Sequence, residues 1–290
     1  MLKGVFTALV TPFKNGGIDE KGLEDLIEFQ IENGISGLVP CGTTGESATL
    51  THDEHKQVIA VTVKAAKGRV PVLAGTGSNN TEEAVTLTRF AKEAGADAAL
   101  LISPYYNKPT QEGLYRHYKA VAEAVDIPIV LYNVPGRTKV DILPNTVARL
   151  AKITNIIGLK DATGLLQQTS DTIAACDKDF AVLSGDDANT LPMLTVGTAG
   201  VISVTANVAP KEVTDLCASF FQGNLEKARD IHYRLLPLNN AMFIETNPIP
   251  VKTALSMMGK MEESFRLPLC EMSGPNWDSL KAVLKDFGLL

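Results

Sequence analysis

The chain has little of what marks metal-stabilised, disulfide-stabilised or nucleic-acid-binding proteins. Its four cysteines, Cys41, Cys176, Cys217 and Cys270, lie far apart and form no C-x-x-C pair. Neither a zinc ribbon nor a disulfide framework is therefore indicated. The formal net charge is −6, and no run of lysine and arginine offers a basic footprint. We therefore expect no nucleic-acid partner.

Long hydrophobic runs are also lacking. No stretch approaches the length of a transmembrane helix, and the apolar run from Val5 to Val10 is stopped by Pro12. A secretory signal would need a longer apolar core and a small-residue cleavage site. Hydrophobic residues at 45% and charged residues at 21% are typical of a soluble globular protein. We therefore expect a cytoplasmic protein with no membrane partner.

The chain does have a regular alternation of short apolar runs and longer segments of helical period. The runs are rich in valine, isoleucine and leucine, as is typical of parallel strands covered on both faces. The eight predicted strands are Val5–Thr11, Gly37–Cys41, Pro71–Gly75, Ala98–Ser103, Pro128–Asn133, Ile156–Lys160, Ala181–Gly185 and Val201–Ala206. Eight such units favour an α/β fold of the (β/α)8 TIM barrel type over an open doubly wound sheet.

Apolar residues at helical spacing predict a helix after each strand. These helices are Glu20–Asn33, His52–Ala66, Thr81–Ala94, Glu112–Ala124, Asn145–Ala151, Leu165–Cys176, Ala188–Val196 and Pro210–Phe221. Their ends agree with capping chemistry, since Asn80 can open one helix and Gly95 can close it.

From about Asn224 the strand–helix alternation stops. The segments Leu225–Ala241, Val251–Met258 and Trp277–Phe287 have the pattern of helices and are separated by proline-rich connections. No low-complexity linker sets them apart from the barrel. We predict a catalytic barrel over residues 1–223 and a C-terminal helical extension over residues 224–290.

One predicted strand, Ile156–Lys160, ends in a lysine. Because side chains alternate along a strand, Ile156 and Lys160 are expected on one face and Ile157 on the other. An ammonium on an apolar surface loses its proton more readily, and the free amine attacks carbonyl groups, as Schiff-base chemistry requires. The alternative is a lysine that merely ends the strand, with its amine in water or paired with Asp161.

Polar groups follow several other predicted strands, at the edge where barrel enzymes carry their active sites. The glycine-flanked turn from Gly42 to Ser47 can hold a carboxylate or a phosphate on its backbone N–H groups, although it lacks the spacing and lysine of a P-loop. A tight structural turn is the alternative.

Tyr132 can face inward near Lys160 and transfer protons to and from a substrate, although a tyrosine on a strand more often has only a packing role. The guanidinium of Arg137 can bind a carboxylate with two hydrogen bonds. The alternative is that Arg137 is a surface arginine without a function.

Two further pairs fit a chemical role less well. Asp186 and Asp187 can contact a substrate, but capping the next helix is the more common role of such residues. His52 and His55 share one face of a first helical turn, yet no third ligand stands at suitable spacing and H-E-x-x-H is absent. We therefore predict no metal site.

Three motifs, in this order and spacing, resemble those of the pyruvate-dependent class I aldolase family. They are Gly42-Thr43-Thr44-Gly45-Glu46, Tyr132-Asn133-Val134-Pro135 and Gly158-Leu159-Lys160. The resemblance covers essentially the whole chain, including residues 203–207 and 247–252. The turn and the strand lysine mark the superfamily, which includes N-acetylneuraminate lyases and sugar-acid aldolases. Arg137-Thr138 is the narrower mark of the synthases that condense pyruvate with L-aspartate 4-semialdehyde.

The resemblance implies a lyase of lysine and diaminopimelate biosynthesis that needs no cofactor, because pyruvate forms a covalent Schiff base with the enzyme. Lys160 would be the Schiff-base lysine, and the proton relay would consist of Thr43, Tyr132 and Tyr106 from a neighbouring subunit. The implied substrate-binding residues are Thr43, Thr44, Arg137, Gly185 and Ile202. Arg137 would receive the carboxylate of L-aspartate 4-semialdehyde, and the amides of Thr43 and Thr44 that of pyruvate.

The resemblance also implies assembly and regulation. The family's synthases are typically homotetramers built as dimers of dimers, and L-lysine inhibits some of them at the dimer interface. The matching positions in this chain are Ala48, His52, His55, Asn79, Glu83 and Tyr105. In the family, a histidine at the position of His55 and an acid at that of Glu83 go with sensitivity to lysine, so inhibition by lysine is expected here.

Two other functions remain open. A lyase of the same family that acts on a sugar acid would share Lys160, although Arg137 speaks against it. A non-catalytic small-molecule sensor on the same barrel would be expected to lose Lys160 or Tyr132, since fold does not fix function. This chain keeps both residues.

Overall fold

A computed structural model describes residues 2–290 of the chain. Its strands are β1 (Gly4–Ala8), β2 (Phe13–Lys14), β3 (Gly17–Ile18), β4 (Gly37–Val39), β5 (Leu73–Gly75), β6 (Ala98–Ile102), β7 (Ile129–Asn133), β8 (Ile156–Asp161), β9 (Ala181–Ser184) and β10 (Gly200–Ser203). Eight of them form one parallel sheet, and β2 pairs with β3 in a short antiparallel hairpin.

The eight parallel strands close into a barrel. Their order is β4-β1-β10-β9-β8-β7-β6-β5, and β4 meets β5 at a parallel bridge between Leu38 and Val72. Two further bonds close the same gap: Leu38 N donates to Pro71 O and Gly75 N donates to Pro40 O, both at 2.9 Å. The fold is therefore the predicted (β/α)8 barrel, and further helices follow it at the C-terminal end of the chain.

The helices are α1 (Glu20–Glu32), α2 (His52–Ala66), α3 (Thr81–Glu93), α4 (Gln111–Ala124), α5 (Pro135–Thr138), α6 (Pro144–Leu150), α7 (Leu166–Ala175), α8 (Thr190–Thr195), α9 (Pro210–Phe221), α10 (Leu225–Ala241), α11 (Ile249–Met257) and α12 (Gly274–Phe287). Every predicted strand and helix is present, and their ends differ from the predicted ones by at most three residues. The short helix α5 and the β2–β3 hairpin were not predicted. Within residues 2–290, no helix is long and apolar enough to cross a membrane.

Side-chain caps fix several helix ends, including the one expected at Asn80. Thr51 and Glu54 form a capping box at the start of α2: Glu54 N donates to Thr51 Oγ1 at 3.2 Å, and Thr51 N donates to Glu54 Oε2 at 2.9 Å. Asn80 opens α3 by accepting from Glu82 N at 3.1 Å. Gly95 follows the end of α3 with a φ of +91°, a conformation that favours glycine.

The barrel strands separate two apolar layers. Val130, Tyr132 and Leu183 belong to the inner cluster that fills the barrel. Leu131 and Leu159 belong to an outer cluster shared with the surrounding helices. Strands covered on both faces are expected to be apolar throughout, which is why their sequences predict them well.

A bulge interrupts the alternation at the start of β8. Ile129 pairs with Ile156 but the next residue, Val130, pairs with Gly158, so Ile157 is an extra residue on its strand. Ile156 packs in the outer cluster and Ile157 against the inner one. The predicted faces of these two isoleucines are therefore wrong. Lys160 lies beyond the bulge, so its inward direction is unaffected.

The C-terminal helices pack on the barrel. One apolar cluster joins Val5 and Val201 of the barrel with Leu235, Val251 and Leu280 of the last helices. Helices α9 and α10, on either side of residue 224, also pack against each other. The division into residues 1–223 and 224–290 stays a prediction, because these helices share their core with the barrel.

Candidate active site

The strand lysine lies inside the barrel. Lys160 is 6% exposed and is the direct neighbour of Tyr132 on the adjacent strand β7. Its Nζ lies 4.2 Å from the centroid of the Tyr132 ring. The predicted inward position of Tyr132 beside Lys160 is thus confirmed.

Lys160 has no carboxylate partner within residues 2–290. The carboxylate of Asp161 is occupied elsewhere: its Oδ1 accepts from Thr163 N at 2.9 Å and from Thr163 Oγ1 at 2.7 Å. Its Oδ2 accepts from Thr169 Oγ1 at 2.7 Å. Pairing of the amine with Asp161 is therefore the wrong interpretation, and Lys160 Nζ has no hydrogen-bond partner among the described residues.

Gly185, just after β9, leaves room for the lysine side chain. A Cβ built at Gly185 would lie 3.1 Å from both Cγ and Cε of Lys160, and 2.8 Å from Cβ of Ala162. Any larger residue would therefore displace the lysine. The side chain of Lys160 is held between the Tyr132 ring on one side and the Gly185 backbone on the other.

Lys160 contributes to the wall of a cavity of about 450 Å³. The wall brings together groups that follow five different strands with groups from the C-terminal helices. They include Thr43, Thr44, Tyr132, Arg137, Gly185, Asp186, Asn239, Asn240, Phe243 and Asn247. Ile202, also expected to bind substrate, lies in the inner core of the barrel, and its role in binding stays a prediction.

The Gly42–Ser47 turn offers free donors to this cavity. Gly45 N and Ser47 N both donate to Gly42 O, at 3.1 and 3.4 Å, and Glu46 N donates to Thr43 O at 3.2 Å. The N–H groups of Thr43 and Thr44 donate to no protein acceptor within residues 2–290. Consecutive free amides at a turn can form a concave site for an anion, and Thr43 and Thr44 both line the lysine cavity.

Arg137, on α5, is exposed and lines the same cavity. Its Nη2 donates to the backbone O of Asn247 at 3.0 Å, which leaves most of its donors available. The structure thus provides two places for a carboxylate, the turn amides and the Arg137 guanidinium, on the wall that carries Lys160.

Sequence reasoning missed the contribution of the C-terminal residues to this cavity. Asn239 and Phe243 come from α10 and the residues just after it, and Asn247 from the connection to α11. Residues 247–252 were part of the family resemblance, which was the one feature of the sequence that could have assigned them to the site. No local pattern assigns them a role, because they contact residues 110 to 206 positions away.

A second cavity, of about 510 Å³, adjoins the first, and Thr43, Tyr132, Arg137 and Asn247 line both. It holds five of the six positions expected to bind lysine, namely Ala48, His52, His55, Glu83 and Tyr105. The sixth, Asn79, donates from Nδ2 to the backbone O of Tyr105 at 3.1 Å. The expected regulatory residues are therefore gathered at one place.

Two acids, Glu46 and Glu83, line the second cavity, and Glu46 is paired with Lys252. A hydrogen bond from Ser78 Oγ, supported by His52 Nε2 at 2.7 Å from Oε1, holds the pKa of Glu83 below its usual value. Its carboxylate is therefore charged at neutral pH. His55 Nε2 donates to Gly75 O at 2.7 Å, and burial lowers the pKa of His55.

The two histidines thus face different partners, and their arrangement is not that of a chelating pair. Among residues 2–290, no group of three or more histidine, cysteine, aspartate and glutamate side chains is placed to hold a metal ion. The two aspartates after β9 bind backbone N–H groups: Asp186 accepts from Ala188 N at 3.1 Å, and Asp187 from Val204 N at 2.8 Å. Asp186 also lines the first cavity.

Tyr106 lies outside both cavities of its own chain. Its side chain is 92% exposed, and its backbone has a φ of +74°, an unusual conformation for a residue other than glycine. Tyr105, the preceding residue, lines the second cavity. The tyrosine pair therefore points one ring at the protein and one ring away from it.

The fold and these motifs match one family throughout. The model of the dihydrodipicolinate synthetase family matches residues 1–287. The 4-hydroxy-tetrahydrodipicolinate synthases of Syntrophus aciditrophicus and Thermodesulfovibrio yellowstonii are 60% and 59% identical over 290 residues, with all of each chain covered.

Solved structures agree with the sequence comparison. The chloride-inhibited dihydrodipicolinate synthase of Acinetobacter baumannii complexed with pyruvate has 48% identity and a TM-score of 0.98, with all of both chains covered. The enzyme of Cyanidioschyzon merolae with lysine bound has 41% identity and a TM-score of 0.97, with 99% of each chain covered. The expected resemblance is thus confirmed, and this chain is an enzyme that belongs to the dihydrodipicolinate synthetase family.

Proposed function

We propose that this enzyme condenses pyruvate with L-aspartate 4-semialdehyde through a Schiff base on Lys160, in lysine and diaminopimelate biosynthesis. One observation carries the proposal: a buried lysine without a carboxylate partner lies on the wall of a cavity with two carboxylate sites. Both substrates are acids, so a condensation of the two needs two such sites. No cofactor is required, because the lysine supplies the reactive nitrogen.

The first step is attack of the neutral Lys160 amine on the C2 carbonyl of pyruvate. The carbinolamine then loses its hydroxyl as water, which leaves an imine between Nζ and C2. We assign to Tyr132, whose ring lies against the amine, the transfer of a proton from the nitrogen and the return of one to the departing hydroxyl. The free N–H groups of Thr43 and Thr44 hold the pyruvate carboxylate during these transfers.

The second step forms the carbon–carbon bond. Transfer of a proton from C3 to the imine nitrogen turns the imine into an enamine. Its C3 attacks the aldehyde carbon of the second substrate, the imine forms again, and the proton released from the nitrogen goes to the aldehyde oxygen. Arg137 holds the carboxylate of that substrate with donors that the protein leaves free. The substrate's own amino group then attacks the imine carbon, which closes a ring and releases the Lys160 amine.

We further propose that Tyr106 of a neighbouring chain completes the proton relay, in a homotetramer built from two dimers. The 92% exposure of Tyr106 in its own chain supports a role in another one. A large aromatic ring left in water gains from burial against a partner, and aromatic residues are enriched at interfaces.

We also propose that L-lysine inhibits the enzyme by binding in the second cavity. Glu83 offers a carboxylate to an ammonium group, while Asn79 and Tyr105 offer hydrogen-bond donors to a carboxylate. The wall shared by the two cavities gives a short route between regulator and active site. The lysine-bound relative from Cyanidioschyzon merolae supports this part of the proposal.

Reductive trapping tests the central step. Borohydride treatment in the presence of pyruvate should fix an adduct on Lys160, located by mass mapping of peptides, and the Lys160→Ala variant should form none. Lys252 is the informative competitor, because it is also buried but is paired with Glu46. An adduct mapped to Lys252 or to any other lysine would rule out the mechanism, and turnover of a sugar acid in preference to L-aspartate 4-semialdehyde would favour the other aldolase function.

A further inference from the structure

Residues 247–252, which we call the tether segment, contact the Gly42–Ser47 turn directly. Asn247, 5% exposed, donates from Nδ2 to Thr44 Oγ1 at 3.0 Å. Its Oδ1 is buried and has no hydrogen-bond partner in the protein. The bond to Thr44 is thus the one side-chain hydrogen bond that fixes the Asn247 amide among the described residues.

The same residue also contacts the second carboxylate site. The backbone O of Asn247 accepts from Arg137 Nη2 at 3.0 Å. A single residue therefore joins the turn that offers free amides to the guanidinium across the cavity. The distance between the two carboxylate sites depends on where Asn247 lies.

A buried ion pair at the other end of the tether segment holds the same turn. Lys252 Nζ donates to Glu46 Oε1, and neither side chain has any exposed surface. Glu46 Oε2 accepts from Arg266 N at 3.2 Å. Glu46 has a φ of +53°, which is strained for a residue other than glycine and persists only where the surroundings hold it.

We propose that Asn247 and Lys252 are positioning residues, which fix the turn so that the free N–H groups of Thr43 and Thr44 face the cavity. This inference rests on the proposed function, since it assigns those amides to the pyruvate carboxylate. Neither residue needs to touch a reacting atom. Carboxylate binding by amides requires placement to within about 0.5 Å, and the hydrogen bonds within the turn involve neither the Thr43 nor the Thr44 N–H group.

Removal of the Asn247 amide tests the proposal. Asn247→Ala should raise the KM for pyruvate about five-fold and leave kcat within about two-fold, as expected for loss of one neutral hydrogen bond that supports binding. The pyruvate dependence of borohydride trapping should shift by the same factor. Thr253→Val is the matched control, because it removes a part-buried hydrogen bond to Glu263 from α11, the helix that follows Asn247, without contacting the turn. Its KM should stay unchanged.

A double-mutant cycle shows whether Asn247 acts through Thr44. Thr44→Val removes the same bond from the other side, so its KM should rise by a similar factor. The double variant should be no worse than the more affected single variant. Thermal denaturation identifies any variant that does not fold. If Asn247→Ala does not fold, the KM for pyruvate of Thr44→Val tests the proposal by itself.

Three results would overturn the inference: an unchanged KM for pyruvate in the folded Asn247→Ala or Thr44→Val variant, effects that multiply in the double variant, or the same rise in Thr253→Val. Failure of the proposed function gives a different result, since the unmodified enzyme would then trap no pyruvate at all. Normal trapping in the unmodified enzyme together with normal pyruvate affinity in the variants would refute the inference alone.

Discussion

Glu83 carries a negative charge into the second cavity, because Ser78 and His52 hold its pKa down. Glu83→Ala should raise the lysine concentration needed for half-inhibition by about ten-fold or more, as expected for the loss of a charge-assisted hydrogen bond. The KM for pyruvate should stay nearly unchanged, since Glu83 does not line the first cavity. Initial rates at several lysine concentrations provide the measurement.

The neighbouring acid provides the control for this change. Glu82 is exposed on the same helix, and Glu82→Ala removes the same charge one position away without altering the second cavity. Its inhibition by lysine should match that of the unmodified enzyme. If the unmodified enzyme shows no inhibition up to millimolar lysine, or if lysine competes directly with pyruvate, a separate regulatory site does not exist. Typical coupling energies of about 1–3 kcal/mol predict partial inhibition.

The orientation and contacts of some residues could be predicted from the sequence, and those of others could not. The inward position of Lys160 and Tyr132 follows from alternation along a strand, and the structure confirms it. Alternation failed for Ile156 and Ile157, because a bulge depends on pairing with the neighbouring strand and leaves no local signal. Asn247 could not be assigned at all, because its contact with Thr44 joins residues 203 positions apart.

Whole elements were easier to predict than their contacts. Strands buried on both faces give continuous apolar runs, and long amphipathic helices give a strong period, so both kinds of element were found. The β2–β3 hairpin has two residues in each strand and α5 has four residues, which is too short for either period to appear. The C-terminal helices were predicted, but their place beside the Gly42–Ser47 turn was not, because it depends on packing.

The buried Lys252–Glu46 pair should make α11 sensitive to charge changes. Lys252→Met leaves an unpaired carboxylate in the interior, and such a loss typically destabilises a protein by about 3–5 kcal/mol. The midpoint of thermal denaturation should therefore fall markedly. Replacing both partners, as in Glu46→Gln with Lys252→Met, should recover most of the loss, because no buried charge remains unpaired.

An exposed ion pair provides the comparison for this change. Lys14 and Glu262 lie 2.9 Å apart with more than half of each side chain in solvent, so Lys14→Met should leave the midpoint nearly unchanged. A double variant that melts no higher than Lys252→Met would show that packing of the lysine stem, rather than the charge pair, governs stability here.

At the scale of the assembled molecule, the exposure of Tyr106 predicts active sites shared between chains. Tyr106→Phe and Lys160→Ala variants should each be inactive, and a mixture of the two should regain activity after subunit exchange. Each hybrid dimer pairs an intact Lys160 in one chain with an intact Tyr106 from the other. Random exchange makes half of the dimers hybrid with one working site in two, so about a quarter of the unmodified activity should return.

Activity measured on the mixture before and after exchange gives the answer, with native mass spectrometry to count the hybrids. Mixing Lys160→Ala with Lys160→Ala/Tyr106→Phe is the control, since no combination of those chains restores a site. Hybrids that form and stay inactive would mean that Tyr106 serves its own chain or takes no part in the reaction.

The tether segment has a consequence for the order in which the active site is completed during protein synthesis. The ribosome synthesises the chain from its N-terminus to its C-terminus. The Gly42–Ser47 turn and Lys160 are therefore made before Asn247 and Lys252. A nascent chain that ends after its eighth barrel strand already carries Lys160, the proposed nucleophile, but its Gly42–Ser47 turn still lacks the hydrogen-bond partners in the tether segment. Under the proposed mechanism, the Lys160 amine is therefore present for a time before the pyruvate site is complete, and a chain that ends before residue 247 would remain in that state.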